Sequence, residues 1–409
     1  MLVNKIMKQE LHGKKITIVV ENLPVPFDRR VWQEANALHD AGAEVCVICP
    51  KTKTFPESEE TLNGIQIYRH PLKEAKRSIE YLFEYGTALF HEFRLLMKIF
   101  HKHGVQDVVH ICNPPDLLFI PALPFLAFTK CKLLFDHHDI NPELWLAKFG
   151  KKNWGYRAMI FFERLTYFFA SHSIATNESY KEIAIRRGKM KPENVTIVRS
   201  GPDISKLAVG PAKPAVKQGF KYLVGYVGVM GKQEGVELLL DSADYIVNKL
   251  NRKDVRFCVM GGGPSLEGLR ALNRQKGLEK FVEFPGRVSN EYLADVLNTA
   301  DVCVNPDVPS EMNDKSTMNK IMEYMAFGKP IVQYDLKEDR FSAQEASLYA
   351  KNTSVEDFGD KIVWLLEHPT DAAKMGVFGR KRVETELSWD FEKPKLIGAY
   401  RKLLKLGQY

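Results

Sequence analysis

The feature that most constrains the fold is a pattern that occurs twice along the chain, in which short apolar segments alternate with longer amphipathic ones. The first series ends near Val198, and the second begins at Tyr222. Between them, residues 210–219 are rich in Pro and Gly, which is typical of a linker. Strand–helix alternation of this kind builds parallel sheets that helices cover on both faces. The sequence therefore predicts an α/β fold of two doubly wound domains that face a cleft.

The apolar runs give the predicted strands. In the first series these are residues 15–20, 45–48, 65–68, 108–111, 133–135, 173–175 and 195–198, and in the second they are 222–227, 256–260, 282–284, 302–305, 331–333 and 348–350. The predicted helices include residues 30–41, 79–103, 156–171 and 391–406. Because ligands of open α/β sheets bind beyond the carboxyl ends of the strands, the loops at those ends are the first places to look for a site.

Composition excludes several classes of protein. Hydrophobic residues make up 45% of the 409 residues, which fits a globular protein and neither a disordered nor a collagen-like one. The net charge of +7 is too small to indicate nucleic acid binding by itself. The longest runs without a charged residue, 117–129 and 165–177, have 13 residues each, whereas a membrane-spanning helix needs about 20. We expect a cytoplasmic protein without a signal peptide and with reduced thiols.

The most informative segment is residues 313–332, where a polar loop of small residues precedes a helical stretch. A helix start offers free N–H groups to a phosphate, here those of Ser316 and Thr317. Lys320 adds a positive charge one turn into the helix. Glu323, three residues later on the same face, could accept hydrogen bonds from two hydroxyls of a ribose. The alternative is a solvated capping sequence.

This segment resembles the signature of the GT-B glycosyltransferases of the family 4 type (glycosyl transferases group 1), in which two Glu residues are separated by seven others. The second Glu corresponds to Glu323, but the first corresponds to Lys315. A lysine cannot accept hydrogen bonds from sugar hydroxyls, although it can pair with a carboxylate. Either the donor sugar is acidic, such as a uronic acid, or the neighbouring Asp314 takes the accepting role and the donor is neutral.

The resemblance extends to the loop after the strand at 222–227. Glycines such as Gly228 allow the backbone to approach a phosphate closely. The family usually has an Arg and a Lys in this loop, and these positions hold Val229 and Glu234 here. Lys232 would then substitute, and Lys320 would neutralise more of the diphosphate charge.

Two further loops are expected to flank the nucleotide base in this family. One contains Gly261 and Gly263, and the other contains Arg287 and Val288. The first lacks the third glycine of a dinucleotide-binding fingerprint, because position 266 is Leu, so an NAD enzyme is disfavoured. The alternative for both loops is an ordinary tight turn.

Two segments of the first domain resemble the acceptor side of the same family. In residues 22–35, Asp28, Arg29 and Arg30 could reach the acceptor or the donor phosphate. The alternative for the arginines is a surface ion pair with Asp28 or Glu34.

The second segment, residues 136–143, is rich in Asp and His. There His138 is the first candidate and Asp139 the second for the polar group nearest the reaction, where it would orient an acceptor hydroxyl and move its proton. A structural turn is the alternative. His and Asp are also metal ligands, but we expect no metal, because the chain has no Asp-x-Asp pair of the kind that GT-A transferases use.

Two aromatic helical segments could contact an anionic membrane. Residues 79–103 carry basic residues beside the apolar Leu82, Leu89, Phe93, Leu96, Met97 and Phe100. Residues 154–169 are rich in aromatic side chains and contain Arg157 and Arg164. The alternative is a pair of helices whose apolar faces pack into the core.

The resemblance implies a retaining glycosyltransferase. Residues 1–205, with a helix at 390–409 that crosses back, would bind a glycan or lipid-linked acceptor, and residues 206–389 would bind a UDP- or GDP-linked sugar. The expected role is bacterial cell-surface polysaccharide or glycolipid biosynthesis, without a cofactor, in the cytoplasm or peripherally on the inner face of the plasma membrane. The alternatives are a nucleotide-sugar 2-epimerase of GT-B fold and a non-catalytic nucleotide-sugar-binding scaffold.

Overall fold

The computed structural model describes residues 10–72 and 78–407, and their side chains except those of 78–85. These residues form two compact units. Unit 1 contains the described residues up to Ser200 and those from Glu392 onwards, and unit 2 spans Gly201–Phe391.

Unit 1 is built on an eight-stranded sheet in the order β3-β4-β2-β1-β5-β6-β7-β8. The strands are β1 Lys15–Val20, β2 Glu44–Pro50, β3 Glu59–Leu62, β4 Ile65–His70, β5 Val108–Cys112, β6 Lys132–His137, β7 His172–Ala175 and β8 Val195–Ile197. All neighbouring pairs are parallel except β3 with β4. The sequence prediction missed β3, whose residues are mostly polar. It forms a hairpin with β4 across Asn63 and Gly64, which both have positive φ, as a two-residue hairpin turn requires.

The helices of unit 1 cover both faces of this sheet. They are α1 Arg29–Asp40, α2 Ser78–His103, α3 Phe119–Phe128, α4 Asn141–Phe149, α5 Trp154–Phe169 and α6 Glu178–Arg186. Helix α1 begins where it does because the carboxylate of Asp28 accepts a hydrogen bond from the N–H of Val31, which caps the helix.

Unit 2 is built on a six-stranded parallel sheet in the order β11-β10-β9-β12-β13-β14. Its strands are β9 Tyr222–Val227, β10 Val255–Met260, β11 Val282–Gly286, β12 Val302–Asn305, β13 Ile331–Tyr334 and β14 Ser347–Ala350. Its helices are α7 Val236–Asp244, α8 Leu266–Gln275, α9 Asn290–Thr299, α10 Glu311–Lys315, α11 Asn319–Ala326, α12 Lys337–Ala343, α13 Val355–Glu367 and α14 Pro369–Arg382. Along β9, Leu223 and Val224 belong to different apolar clusters. The sheet is therefore buried on both faces, which confirms the doubly wound fold.

The last helix, α15 Trp389–Leu404, packs on unit 1 through its residues after Phe391. A carboxylate oxygen of Glu392 accepts a hydrogen bond from the N–H of Arg199 at 2.9 Å. The hydroxyl of Tyr400 lies 2.8 Å from the Nδ1 atom of His110, inside the unit 1 core. Among the described residues, no helix is both long and apolar enough to cross a bilayer.

Two local predictions in unit 2 are wrong. The residues before α11 were predicted as a loop, but Glu311–Lys315 form α10, which begins because Ser310 accepts a hydrogen bond from the N–H of Asn313. Residues 210–219 were predicted as a linker, yet they are bonded to unit 2. The amine of Lys217 contacts the carboxylate of Asp301 at 2.7 Å.

Candidate active site

The glycine loops of unit 2 meet at the carboxyl ends of β9, β10 and β11. The N–H of Gly228 bonds to the carbonyl of Met260 at 3.1 Å, and the N–H of Gly261 bonds to that of Gly286 at 2.9 Å. A Cβ atom on Gly261 would lie 1.8 Å from the carbonyl oxygen of Gly228, and one on Gly263 would lie 2.6 Å from a backbone oxygen. The close packing of the loops on each other is therefore a structural reason for these glycines.

Helix α11 is fixed to the end of β9 by Tyr324. The hydroxyl of Tyr324 accepts a hydrogen bond from the N–H of Val227 at 2.9 Å. Sequence reasoning missed this residue, because a buried Tyr on an amphipathic helix looks like an ordinary core residue. The contact places the start of α11, with the residues before it, at the carboxyl end of the unit 2 sheet.

Lys320 is held by acidic residues. Its Nζ atom lies 2.8 Å from Oδ1 of Asp307 and 3.1 Å from Oε2 of Glu234, and 5.1 Å above the ring of Tyr226. Burial by itself lowers the pKa of Lys320, but attraction to Asp307, Tyr226 and Glu234 raises it well above the ordinary value. Burial raises the pKa of Asp307 to about 7, with Lys320 opposing the shift and Glu234 adding to it. Lys320 is therefore charged and already balanced by carboxylates.

Asp307 is the residue of this cluster that sequence reasoning did not name. It follows β12 by two residues and is 1% exposed. Nearby on β12, Asn305 donates a hydrogen bond to the buried carboxylate of Asp339 at 2.9 Å. A polar residue within two positions of the end of a buried parallel strand was the signal available in the sequence.

The predicted residues before Lys320 all have partners within unit 2. Lys315 pairs with Glu311 one turn earlier on α10, at 2.7 Å, and the pair is partly exposed. Asp314 accepts a hydrogen bond from the N–H of Lys337 at 2.9 Å. The hydroxyl of Ser316 donates to the carbonyl of Met312. Its N–H, predicted to be free for a phosphate, donates to the carbonyl of Asn313 at 3.2 Å, so that part of the prediction is wrong.

The other predicted donor residues lie nearer the surface. Thr317 is half-buried in the turn before α11, and Glu323 is half-buried on that helix. Lys232 is exposed on a short turn, Lys232–Glu234, and forms no ion pair with any residue that the structure describes. Arg287 is exposed next to the Gly261–Gly263 loop, whereas Val288 packs against an apolar cluster.

In unit 1, Arg30 forms a buried ion pair. Its guanidinium binds both oxygens of Asp136, at 2.7 and 2.9 Å, and lies 3.1 Å from Glu34. Asp28 caps α1, while Arg29 is exposed. The alternative interpretation of a surface pair is therefore wrong for Arg30, because the pair is buried and its main partner is Asp136, an acid that the sequence did not connect with it.

His138 lies beside this ion pair. Its Nε2 atom is 2.5 Å from Oδ2 of Asp136, and its side chain is 14% exposed. The amide oxygen of Asn113 accepts hydrogen bonds from the backbone N–H groups of His138 and Asp139, at 2.7 and 3.2 Å, and so fixes the loop. The side chain of Asp139 is exposed. His137 points away into the core, where its Nδ1 atom is 2.8 Å from the hydroxyl of Tyr167.

The charge states in this cluster follow from its geometry. Burial raises the pKa of Asp136, but Arg30 and His138 lower it more, and the result is well below the ordinary value. Burial raises the pKa of Glu34 well above its ordinary value; Arg30 opposes this shift, and Asp136 adds to it. The cluster therefore holds one ionised carboxylate, which orients His138, and one neutral carboxyl group.

One group of side chains in unit 1 has the spacing of a metal site. Potential ligand atoms of His110, Cys112 and Asp136 lie within 4.8 Å of one another, and all three residues are buried. However, Asp136 is bound by Arg30. Burial and the nearby carboxylates raise the pKa of the Cys112 thiol well above its usual value, so it stays protonated. These contacts favour a hydrogen-bond network over a cation site.

The two segments predicted to contact a membrane differ. On α2, Phe93 and Phe100 pack against Phe125, with ring centroids 6.1 and 4.0 Å apart, and Leu96 is buried, so this apolar face largely belongs to the core. The side chain of Leu82 lies outside the described residues.

On α5, by contrast, Trp154, Phe161 and Phe168 are 80%, 57% and 77% exposed. They recur every seven residues and therefore share one face of the helix. Arg157 and Arg164 are exposed as well, each three residues after an aromatic one.

Two family profiles match successive parts of the chain. The profile for the glycosyl transferase 4-like domain matches residues 28–201, and that for glycosyl transferases group 1 matches residues 221–368.

Among curated proteins, a GDP-mannose-dependent alpha-(1-6)-phosphatidylinositol monomannoside mannosyltransferase of Mycobacterium tuberculosis is 28% identical over 142 residues, which are 34% of this chain and 37% of that protein. The putative colanic acid biosynthesis glycosyltransferase WcaL of Escherichia coli K12 is 28% identical over 144 residues, 34% of each chain. The match thus spans about a third of the length of these relatives.

Solved structures share the fold over nearly the whole chain. Sucrose-phosphate synthase from Thermosynechococcus elongatus aligns with a TM-score of 0.78 and 19% identity, over 96% of this chain and 100% of that one. Anabaena HepE, in a complex with UDP and glucose, aligns with a TM-score of 0.71 and 14% identity, over 95% of this chain and 99% of that one.

Proposed function

Because the chain belongs to the GT-B glycosyltransferases of the family 4-like type, we propose that it transfers a sugar from a nucleoside diphosphate to an acceptor hydroxyl. Unit 2 would bind the donor, and unit 1 the acceptor. The mannosyltransferase relative uses GDP-mannose and HepE binds UDP, so we propose a UDP- or GDP-linked donor. The acceptor would be a glycan or a lipid-linked saccharide of a surface polysaccharide or glycolipid pathway.

The observation that carries this proposal is the position of α11. Tyr324 fixes this helix to the carboxyl end of β9, where ligands of such sheets bind. The helix start supplies N–H groups for a phosphate, and the half-buried Glu323 supplies a carboxylate for the ribose hydroxyls.

The leaving diphosphate requires positive charge that is not already neutralised. Since Lys320 is balanced by Asp307 and Glu234, we assign the larger share of this role to the exposed Lys232. Lys320 would instead hold Glu234 and Asp307 in position near the glycine loops of unit 2.

We favour a neutral donor sugar. Lys315 already pairs with Glu311, and the surroundings of Lys320 contain two carboxylates for one ammonium group. An additional carboxylate on the sugar would be repelled there, whereas hydroxyl groups could donate hydrogen bonds. Turnover with paired neutral and uronic donors tests this choice, and faster transfer of the uronic sugar would contradict it.

The proposed reaction proceeds with retention of configuration. The bond from the anomeric carbon to the leaving phosphate oxygen breaks, and a bond to the acceptor oxygen forms on the same face of the sugar. The acceptor proton passes to the leaving phosphate. His138, held by the ionised Asp136, would orient the acceptor hydroxyl, and Asp139 would be the second polar group near it.

A thermal-shift screen of nucleotide sugars tests the proposal, because a ligand that binds only the folded state raises its apparent stability. We expect one nucleotide sugar to stabilise the protein and to be consumed only when an acceptor is present. An epimerised sugar formed without acceptor would favour a 2-epimerase. Binding without turnover across an acceptor panel would favour a scaffold protein.

We further propose that α5 contacts an anionic membrane. The exposed stripe of Trp154, Phe161 and Phe168, with basic residues beside it, combines apolar area with positive charge. Flotation with anionic liposomes should recover the wild type and not the triple alanine variant of this stripe. Val377→Ala, a change at an exposed apolar residue of unit 2, is the control. Equal flotation of the triple variant and the wild type would contradict the proposal.

A further inference from the structure

A polar cavity of about 520 Å³ lies in unit 1 at the carboxyl ends of β2 and β4. Nothing in the proposed donor chemistry uses it. Its lining includes Lys51, Ser58, Glu59, Arg69, His70, His91, Arg94 and Lys98. We call this the basic cavity.

The carboxyl ends of β2 and β4, the start of β3 and one helix build the basic cavity. The N–H of Lys51, directly after β2, bonds to the carbonyl of His70 at the end of β4 at 2.8 Å. On α2, His91, Arg94 and Lys98 follow one another at intervals of three and four residues. They therefore lie on the same face of the helix, which forms a wall of the cavity.

Part of the positive charge in the basic cavity is not neutralised by any side chain that the structure describes. Arg69 pairs with Glu60 at 2.7 Å, and Lys98 pairs with Glu59. The amine of Lys51, however, bonds to the neutral hydroxyl of Ser58 at 2.6 Å. Among the side chains that the structure describes, those of residues 10–72 and 86–407, no carboxylate pairs with Lys51 or Arg94. The cavity thus has two cations available to an anion.

The two imidazoles add hydrogen-bonding capacity without adding charge. Burial lowers the pKa of His70 to about 4, and burial together with the charge of Arg94 lowers that of His91. Both rings are therefore neutral at pH 7. They are stacked, with centroids 6.3 Å apart. The Nε2 atom of His70 is buried and has no hydrogen-bond partner among the described residues.

We propose that the basic cavity binds a phosphate or diphosphate group carried by the acceptor, an inference that rests on the proposed function. Two unpaired cations beside hydroxyl and imidazole groups suit a multiply charged anion with several accepting oxygens better than a single carboxylate. β4 and β6 are four positions apart in the sheet, so the cavity lies about 19 Å from the strand end that carries His138. The anion would anchor the acceptor at that distance from its reacting hydroxyl.

Calorimetric titration of the full-length protein tests this site. The probes are inorganic pyrophosphate, a water-soluble alkyl diphosphate, and glucuronate as a carboxylate for comparison. The test variant is Lys51→Gln with Arg94→Gln, which removes the two unpaired charges. The control is Lys132→Gln, an exposed lysine at the amino end of β6, whereas the cavity lies at the carboxyl ends of the strands of the same sheet.

We expect both diphosphates to bind the wild type and the control equally, and the double variant at least about tenfold more weakly. Tighter binding of the alkyl diphosphate than of pyrophosphate would identify a lipid-linked acceptor as the source of the anion. Equal binding of the two would indicate that the site recognises the phosphate groups of any phosphate ester. Unchanged binding by the double variant would overturn the proposal, as would glucuronate binding as tightly as pyrophosphate.

The same variants separate this inference from the proposed function. Stabilisation by the nucleotide sugar should be equal in wild type, control and double variant, because the donor residues are in unit 2. If no nucleotide sugar binds while the double variant loses diphosphate binding, the proposed function fails and the anion site stands. If a nucleotide sugar binds while the double variant keeps its diphosphate binding, the proposed function stands and the proposed anion site is wrong.

Discussion

Each unit places a cation with little solvent exposure between two carboxyl groups near the carboxyl ends of its strands, but the two clusters differ in charge state. In unit 1, Arg30 binds Asp136 through two parallel hydrogen bonds and lies near Glu34. In unit 2, the Nζ atom of Lys320 contacts one oxygen of Asp307 and one oxygen of Glu234. The pKa of Asp136 falls well below its usual value, whereas that of Asp307 rises to about 7.

The difference follows from the cation. A guanidinium group is planar and binds both oxygens of a carboxylate, so it fixes one ionised partner. An ammonium group is a point charge that two carboxylates share, and neither is fully neutralised. We infer that the unit 1 cluster is a fixed support for His138, whereas the charge of the unit 2 cluster changes near neutral pH.

Arg30→Met should have the largest effect, because it leaves Asp136 buried without its cation. We expect the free energy of unfolding to fall by about 3–5 kcal/mol in urea denaturation. Arg186→Ala, which breaks an exposed ion pair with Glu182 in the same unit, is the control and should cost less than about 1 kcal/mol. Equal losses of unfolding free energy in the two variants would show that burial of the Arg30–Asp136 pair does not add to its contribution to stability.

His138→Gln tests the proposed purpose of the unit 1 cluster. We expect the transfer rate to fall roughly a hundredfold, which is about 2.7 kcal/mol in activation free energy, with little change in the free energy of unfolding. The measurement is kcat at saturating donor and acceptor. A near-normal kcat would exclude His138 as the polar group nearest the reaction.

Lys320→Met should lower the free energy of unfolding by about 2 kcal/mol. The loss should be smaller than for Arg30→Met, because Asp307 can take up a proton when its cation is removed. Its two ion pairs make Lys320 part of the structural support of unit 2. Adding Asp307→Asn should restore part of the lost stability. If the double variant is less stable than Lys320→Met alone, the two residues are not paired as described.

The smallest effect concerns pH. Between about pH 4 and 7 the folded protein binds more protons at Asp307 than the unfolded chain does, so this group makes stability fall as pH rises. Asp136 has a lowered pKa, and its contribution is lost only on strong acidification. Between pH 5 and 7, the free energy of unfolding of the wild type should fall by on the order of 1 kcal/mol more than that of Asp307→Asn. Parallel pH curves for the two proteins would contradict the raised pKa.

The sequence predicts those elements that depend on the local pattern of apolar and polar residues. The apolar runs gave strands such as β1 and β9 with the bounds that the structure has. The hairpin strand β3 was missed because its side chains are mostly polar, although Asn63 and Gly64 marked the turn. Helix α10 was missed because Ser310, its cap, lies in a segment with no helical periodicity.

At the candidate site, the sequence supplied residue types but not partners. The pairing of Arg30 with Asp136 joins positions 106 residues apart, and that of Lys320 with Glu234 joins positions 86 apart. Such contacts depend on strand order, which no local pattern encodes. The sequence therefore showed that Lys320 is charged and could not show that the protein itself neutralises it.

The most direct test of the central claim, that the donor binds at the start of α11, is calorimetric titration of the nucleotide sugar into Glu323→Gln. We expect binding at least about tenfold weaker than in wild type, because a charged acceptor for the ribose hydroxyls is lost. Glu345→Gln, at an exposed glutamate near the amino end of β14, should bind as wild type does. Equal affinity of Glu323→Gln and wild type would contradict the assignment.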